Sequence, residues 1–165
     1  MKKILLIVLL VAPLSLCAQK FGHFNSADLI QLMPEYKTAQ TELQTTQKQY
    51  ENDIKAMQDE LQRKSQDYDK QKDSLPQNIR ERREQEMQEL YQRIQQTSKD
   101  DQTNLEKQSS EKMQAITDKV RTAVKQVGDA GGYVYIMDTT AGIPYISATQ
   151  SKDLTAEIKA KLGLK

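Results

Sequence analysis

Cysteine is nearly absent from this chain. The one cysteine, Cys17, lies in a leader-like opening stretch, so a processed chain would contain none and could not use disulfides. Tryptophan is missing and phenylalanine occurs twice, which leaves too little aromatic bulk for a large globular core. Charge of one sign is missing as well. Removing Lys2 and Lys3 takes Lys+Arg from 24 to 22 against 23 Asp+Glu, a formal net charge of −1. No whole-chain basic field is left to recruit nucleic acid. Histidine occurs once, at His23. Zinc ligation and nucleophile–base pairs therefore lack their usual second member, and His23 reads as a structural residue. Glycine and proline are scarce where it matters most: from Glu35 to Val127 there is no glycine, and Pro76 is the only proline.

The opening segment has a processing signature. Lys2 and Lys3 precede an apolar run from Ile4 to Leu16, and Cys17-Ala18 supply small residues at its exit. The run is shorter than the roughly 20 residues a membrane-spanning helix needs. It reads as a secretory signal cut after Ala18, leaving Gln19 first. The alternative is a lipoprotein signal ending at Cys17; Leu16 is not the small residue that such processing calls for.

The Glu35–Val127 stretch reads as two long helices folded back at Ser74-Leu75-Pro76. Apolar or small residues recur at Tyr36, Ala39, Leu43, Thr46, Tyr50, Ile54, Met57, Leu61, Tyr68 and Leu75. The early steps alternate three and four, apart from two consecutive fours around Tyr50, which is a coiled-coil seam with one stutter. The return helix carries Ile79, Met87, Leu90, Tyr91 and Ile94, thins to Leu105 alone, and recovers from Met113 through Ile116, Val120, Val124 and Val127. Between Gln95 and Ser110 the seam is polar, and this part of the arm should be its softest.

The flanks differ. Phe21–Asn25 reads as an opening strand, and Ser26 as the N-cap of a short helix carrying Leu29 and Met33, with Pro34 kinking or restarting the helix. Gly128, Gly131 and Gly132 should end the return helix. Tyr133, Val134, Tyr135, Ile136 and Met137 form a continuous apolar run of the kind found in strands buried on both faces. Asp138–Gly142 reads as a turn, Ile143–Ser147 as a partner strand, and Asp153 as the cap of a last amphipathic helix. So few elements cannot cover a sheet alone, and the economical solution is a small sheet body shared between identical chains. Subunit number is not legible from the residues.

The domain reading is thus 1–18 signal, 19–34 with 128–165 as a β-containing oligomerisation body, and 35–127 as a helical-hairpin arm. The fold class is α+β, mostly α. No catalytic constellation and no cofactor signature emerges: Asp67/Asp69 and Asp100-Asp101 sit among Lys and Gln on exposed helix, and Gly128-x-x-Gly131-Gly132 follows a helix instead of opening one. The chain does not read as an enzyme. Tyr50, Met57, Tyr68, Met87, Tyr91 and Met113 have two readings: seam residues, or soft outward contacts for varied polypeptides. The tip cluster of Lys70, Lys72, Arg80, Arg82 and Arg83 mixes with acids and reads mainly as solubility, with lipid or lipopolysaccharide contact as the alternative.

The segment from Leu29-Ile30-Gln31-Leu32-Met33-Pro34-Glu35-Tyr36-Lys37 through Ala39-Gln40 and Glu42-Leu43 resembles the opening of the Skp/OmpH-family periplasmic chaperones of Bacteroidetes-type bacteria. Gly132–Asp138 resembles the family's second strand, and Asp153-Leu154-Thr155 with Lys161-Leu162-Gly163 its closing helix. The resemblance spans the mature chain and implies a jellyfish-like homotrimer in the periplasm that holds unfolded outer-membrane β-barrel proteins without ATP. It would place Phe24, Tyr133–Met137, Ile143, Tyr145 and Ile146 in the assembly body and the arms around a client cavity. Well-known members are strongly basic while this chain is near neutral, which shifts weight from charge to apolar arm contacts. A secreted coiled-coil tether of the cell envelope is the alternative function.

Overall fold

The computed structural model describes residues 19–164. The expected leader and its cleavage site fall outside the described residues, apart from Gln19. The chain divides into two compact units, Ile30–Asp118 and a second made of the residues on either side.

The first unit is a helical hairpin. Helix α1 spans Ser26–Leu32, and α2 spans Pro34–Gln71. Proline at the first helical position needs no N–H there, and it pushes the preceding Met33 to extended backbone (φ −70°, ψ 129°). Pro34 therefore restarts the helix. A 3₁₀ turn at Lys72–Ser74 reverses the chain, and α3 runs from Gln77 to Gly131. With 38 residues, α2 is about 57 Å long at 1.5 Å per residue.

Contacts between α2 and the Gln77–Asp118 part of α3 establish their antiparallel register. Lys112 Nζ donates to Glu42 Oε2 at 2.5 Å across a sequence separation of 70. Tyr68 donates to Glu84 across 16 residues, and Arg83 donates to Gln71 at 3.2 Å across 12. The expected seam residues of α2 from Tyr36 to Tyr68 are all buried or half-buried while most of their neighbours are exposed. The seam is shallow: between Pro34 and Asp118 only Ala39, Leu90, Ile94 and Ile116 are buried apolar residues.

Such thin packing leaves the helices dependent on local support. Glutamine supplies it, donating to a carboxylate one turn ahead: Gln49 to Asp53 at 2.8 Å, Gln96 to Asp100 at 2.8 Å and Gln102 to Glu106 at 3.0 Å. Each such pair is worth a few tenths of a kcal/mol. Two of these lie inside the polar Gln95–Ser110 stretch, which remains helical throughout.

The second unit holds a three-stranded sheet of order β2-β1-β3, with β1 at Lys20–Phe24, β2 at Tyr133–Asp138 and β3 at Ser151–Asp153. Both pairings are parallel. Helix α3 ends at Gly131, and Gly132 takes the left-handed conformation (φ 65°) that turns the chain into β2. Helix α4 follows β3 at Thr155–Lys161.

Four expectations need correction. The cap of α1 is Asn25, whose Oδ1 accepts from the N–H groups of Ala27 (3.0 Å) and Asp28 (3.3 Å); Ser26 is already helical. The expected strand at Ile143–Ser147 is irregular, because Pro144 interrupts it and cannot donate to a ladder. The third strand instead forms at Ser151–Asp153. Strand β2 is not buried on both faces within one chain: Val134, Tyr135 and Met137 are exposed. An apolar run encodes a demand for cover, and these three side chains are only partly covered in the protomer. Finally, the N-cap of the last helix is Leu154 and not the expected Asp153, which supports the helix from one residue further out, its Oδ1 accepting from Thr155 N at 2.9 Å.

Candidate functional site

The two faces of the sheet are unlike. On one, Gly22 and Phe24 of β1 alternate with the residues of the other face, and Ile136 stands opposite Gly22. This side is closed. A methyl at Gly22 would overlap the Leu154 side chain and touch Ile136, and Phe24, Leu29, Leu154 and Ile158 are all buried. Leu154 N also donates to His23 O at 2.8 Å, so α4 is tied to β1 at its start.

The other face carries Phe21 and His23 of β1, Tyr135 and Met137 of β2, and Ser151 and Asp153 of β3, matched pair by pair in the register. Phe21 and Tyr135 stack with ring centroids 6.2 Å apart and planes 8° from parallel. His23 Nδ1 and Ser151 Oγ are hydrogen-bonded at 2.9 Å. Tyr145, Ile146, Ser147 and Gln150 of the irregular segment lean in from the side, and with Phe21, His23, Tyr135, Met137 and Ser151 they line an open cavity of about 280 Å³. Tyr135 is 66% and Tyr145 80% exposed, so a contiguous aromatic and thioether surface faces outward. Patches of this kind in soluble chains mark contact surfaces.

At the β1/β2 end, Asp138 brackets three segments. Its Oδ1 accepts from Ser26 N (3.2 Å), Thr140 N (3.0 Å) and Thr140 Oγ1 (2.8 Å). Burial by itself would raise this carboxyl; the hydrogen bonds from Ser26 and Thr140 outweigh it and hold the group below the ordinary aspartate value. Asp153 is also held low, first by its hydrogen bonds from Thr155.

The residues expected in the body separate accordingly. Phe24 lies on the closed side, Tyr133 and Ile136 are half-buried, Val134, Tyr135 and Met137 are exposed, and Ile143 and Ile146 are half-buried in the irregular segment beside exposed Tyr145. Of the arm candidates, Tyr50, Met57, Tyr68, Met87 and Met113 sit half-buried at seam positions; Tyr91 alone points well into solvent, at 53% exposed. The Tyr68 phenol is raised above its ordinary value, chiefly by its hydrogen bond to Glu84. Near the tip a groove of mixed charge is lined by Lys64, Asp67, Gln71, Arg82, Arg83 and Glu86, with Arg82 paired to Glu86 at 3.4 Å.

The Phe21–Tyr135 stack and the His23–Ser151 bond were not read from the sequence. Both depend on which strand pairs with which, and the strand holding Ser151 carries no apolar signal. Among the described residues no cluster of three or more His, Cys, Asp or Glu is placed to hold a metal, and no helix is long and apolar enough to cross a membrane.

The family model described as "Outer membrane protein (OmpH-like)" matches residues 20–162, which takes in both units. The chain belongs to the OmpH-like family. A solved OmpH-like structure from Caulobacter crescentus, described as a candidate outer membrane chaperone, shares its fold with a TM-score of 0.73. The two are 18% identical, and the match covers 87% of this chain and 83% of the other. No curated protein matches this OmpH-like chain. The long helical hairpin with a small three-stranded sheet is the OmpH-like fold.

Proposed function

We propose that this chain is an ATP-independent holdase of the periplasm that binds unfolded outer-membrane β-barrel proteins. The observation that carries this reading is the OmpH-like family match across residues 20–162, alongside a structural relative described as a candidate outer membrane chaperone. The hairpin suits the role physically. Its seam is half-buried along most of its length, and a chain with so little core of its own can exchange internal contacts for contacts with a client. Tyr91 and the half-buried tyrosines and methionines supply soft apolar surface whose strength comes from number.

The functional unit in this reading is a homotrimer. Parallel sheets occur almost only with both faces covered, and this one leaves Tyr135 and Met137 exposed beside half-buried Phe21. Neighbouring copies supply the cover, and three hairpins then surround one client. Lipid or lipopolysaccharide contact at the tip plays at most a secondary part, because Arg82 and Arg83 are already engaged by Glu86 and Gln71.

The test is light scattering as a urea-unfolded outer-membrane β-barrel protein is diluted into buffer with the purified processed chain, without nucleotide. Suppressed aggregation that saturates near one client per oligomer is the expected result. Unchanged aggregation beside a well-folded oligomer would sink the holdase reading and leave a coiled-coil envelope tether.

A further inference from the structure

We propose that Gln19 is a modification site: once export has cut the chain after Ala18, the new N-terminal glutamine closes on itself to pyroglutamate, and the blocked end protects the central strand of the sheet. Cyclisation requires only the cut after Ala18, so it stands apart from the holdase reading.

Glutamine directly follows the small residue at the exit of the leader. The cut therefore frees the α-amine of a residue whose own side chain carries a carboxamide. The step balances within that residue. The α-nitrogen attacks Cδ and forms a new N–C bond, the Cδ–Nε2 bond breaks, and the amide nitrogen leaves as ammonia with a proton from the α-nitrogen. Nothing is oxidised or reduced, and no co-reactant is consumed. Both reacting groups are held on one short side chain and close a five-membered ring, the arrangement in which intramolecular attack gains most. An α-amine ordinarily titrates at roughly pH 8, so a share of it is neutral and nucleophilic near neutral pH.

The fold leaves this residue free to react. Gln19 is exposed and lies outside regular structure, and β1 begins at the next residue. The lactam is made wholly of Gln19 atoms, so closing it moves nothing in the strand.

The fold also gives a blocked end its use. Proteolysis concentrates at termini, and here the terminus stands one residue from a ladder. Strand β1 is the middle of the order β2-β1-β3, so both neighbours depend on it. Lys20 pairs with Tyr133, and Phe21 pairs with Tyr135 on one side and Ser151 on the other. Lys20 Nζ donates to Gly131 O at 3.0 Å, at the end of α3, and the Phe21 ring stacks on Tyr135. Stepwise loss of Gln19, Lys20 and Phe21 would remove all of these together. An aminopeptidase needs a free α-ammonium, and a lactam offers none. The ring also takes away a positive charge next to the Lys20 ammonium that serves the α3 carbonyl.

The experiment is intact-mass spectrometry of the processed chain, purified from the cells that naturally export it, followed by incubation with a broad-specificity aminopeptidase. The expected mass is that of residues 19–165 less one ammonia, and the expected digestion is nil. Gln19→Ala cannot form the ring. Exported and cut in the same way, it should carry a free α-amine, lose residues from its N-terminus to the aminopeptidase, and melt at a lower temperature after digestion than before. Circular dichroism before digestion confirms that this variant is folded. A parent mass of residues 19–165 with no ammonia lost overturns the cyclisation. A parent chain that begins at any other residue, Cys17 included, overturns the assignment of Gln19 altogether. Gln19→Ala that resists the aminopeptidase as well as the parent does overturns the protective role.

Discussion

Leu154 lies directly over Gly22, so close that a Cβ on the glycine would overlap its Cδ1 and press on Cγ at 3.1 Å. Leu154 is 1% exposed and cannot swing aside, and its own N–H is bound to His23 O. The strand that carries the open face is thus held from behind by a contact that only glycine permits.

Replacing Gly22 with alanine should cost about 1 to 3 kcal/mol, the usual range for overpacking a filled core. Urea denaturation at fixed protein concentration would measure it. Gly128→Ala provides the contrast. Its new methyl would lie 3.2 Å from the far end of the half-buried Ile136 side chain, while alanine gains about 1 kcal/mol over glycine within a helix. That variant should be close to neutral or slightly stabilising.

Asp101 occupies a seam position in the polar part of α3, and its Oδ2 is buried with no hydrogen-bond partner. Asp101→Leu removes that unpaired atom and extends the apolar seam between Ile94 and Leu105. We expect about 1 kcal/mol of local stabilisation, read as roughly fivefold slower amide hydrogen exchange across residues 95–110. If the soft stretch lets the arms adapt to client size, holding of large clients should weaken before that of small ones. Equal holding of both would refute that use of the stretch.

Tyr68 and Glu84 join the two helices near the tip. Because the carboxylate accepts the phenolic proton, Tyr68 should ionise at higher pH than an unpartnered tyrosine. Glu84→Gln should bring that ionisation back down. Ultraviolet titration, with Tyr68→Phe as the blank, isolates the signal.

Asp138 is held below its ordinary value in the folded chain, so the folded state binds its proton more weakly than the unfolded one. Its contribution is therefore fully present above the unfolded value of about 3.9 and is lost as the pH falls through the lower folded value. Melting temperature should drop on this acid limb, and Asp138→Asn should flatten the drop while lowering the melting temperature at neutral pH. An unchanged acid limb would mean that Asp138 does not bracket β2 to α1 in solution.

The hairpin was legible because its determinants are local. Ninety-odd residues without glycine and with one proline carry few helix breakers, and the three-and-four repeat through Tyr36, Leu43, Tyr50, Ile54 and Leu61 selects helix and marks its buried side. The break at Pro76, the restart at Pro34 and the stop at Gly131-Gly132 follow from backbone chemistry that acts within a few residues. The body was only half legible. Ile143–Ser147 has the composition of a strand, yet Pro144 denies it a ladder, while Ser151-Lys152-Asp153 has none of that composition and pairs with β1. Strand pairing joins residues more than a hundred positions apart, such as His23 and Ser151, and no local pattern records such a partner. The sequence by itself determined a long hairpin, its seam and a small apolar body, because helix periodicity and turn chemistry are short-range. Tertiary structure alone decided that the sheet is parallel, that Leu154 closes one face over Gly22, and that Phe21, His23, Tyr135 and Met137 share the open one, because those outcomes depend on which distant segments meet.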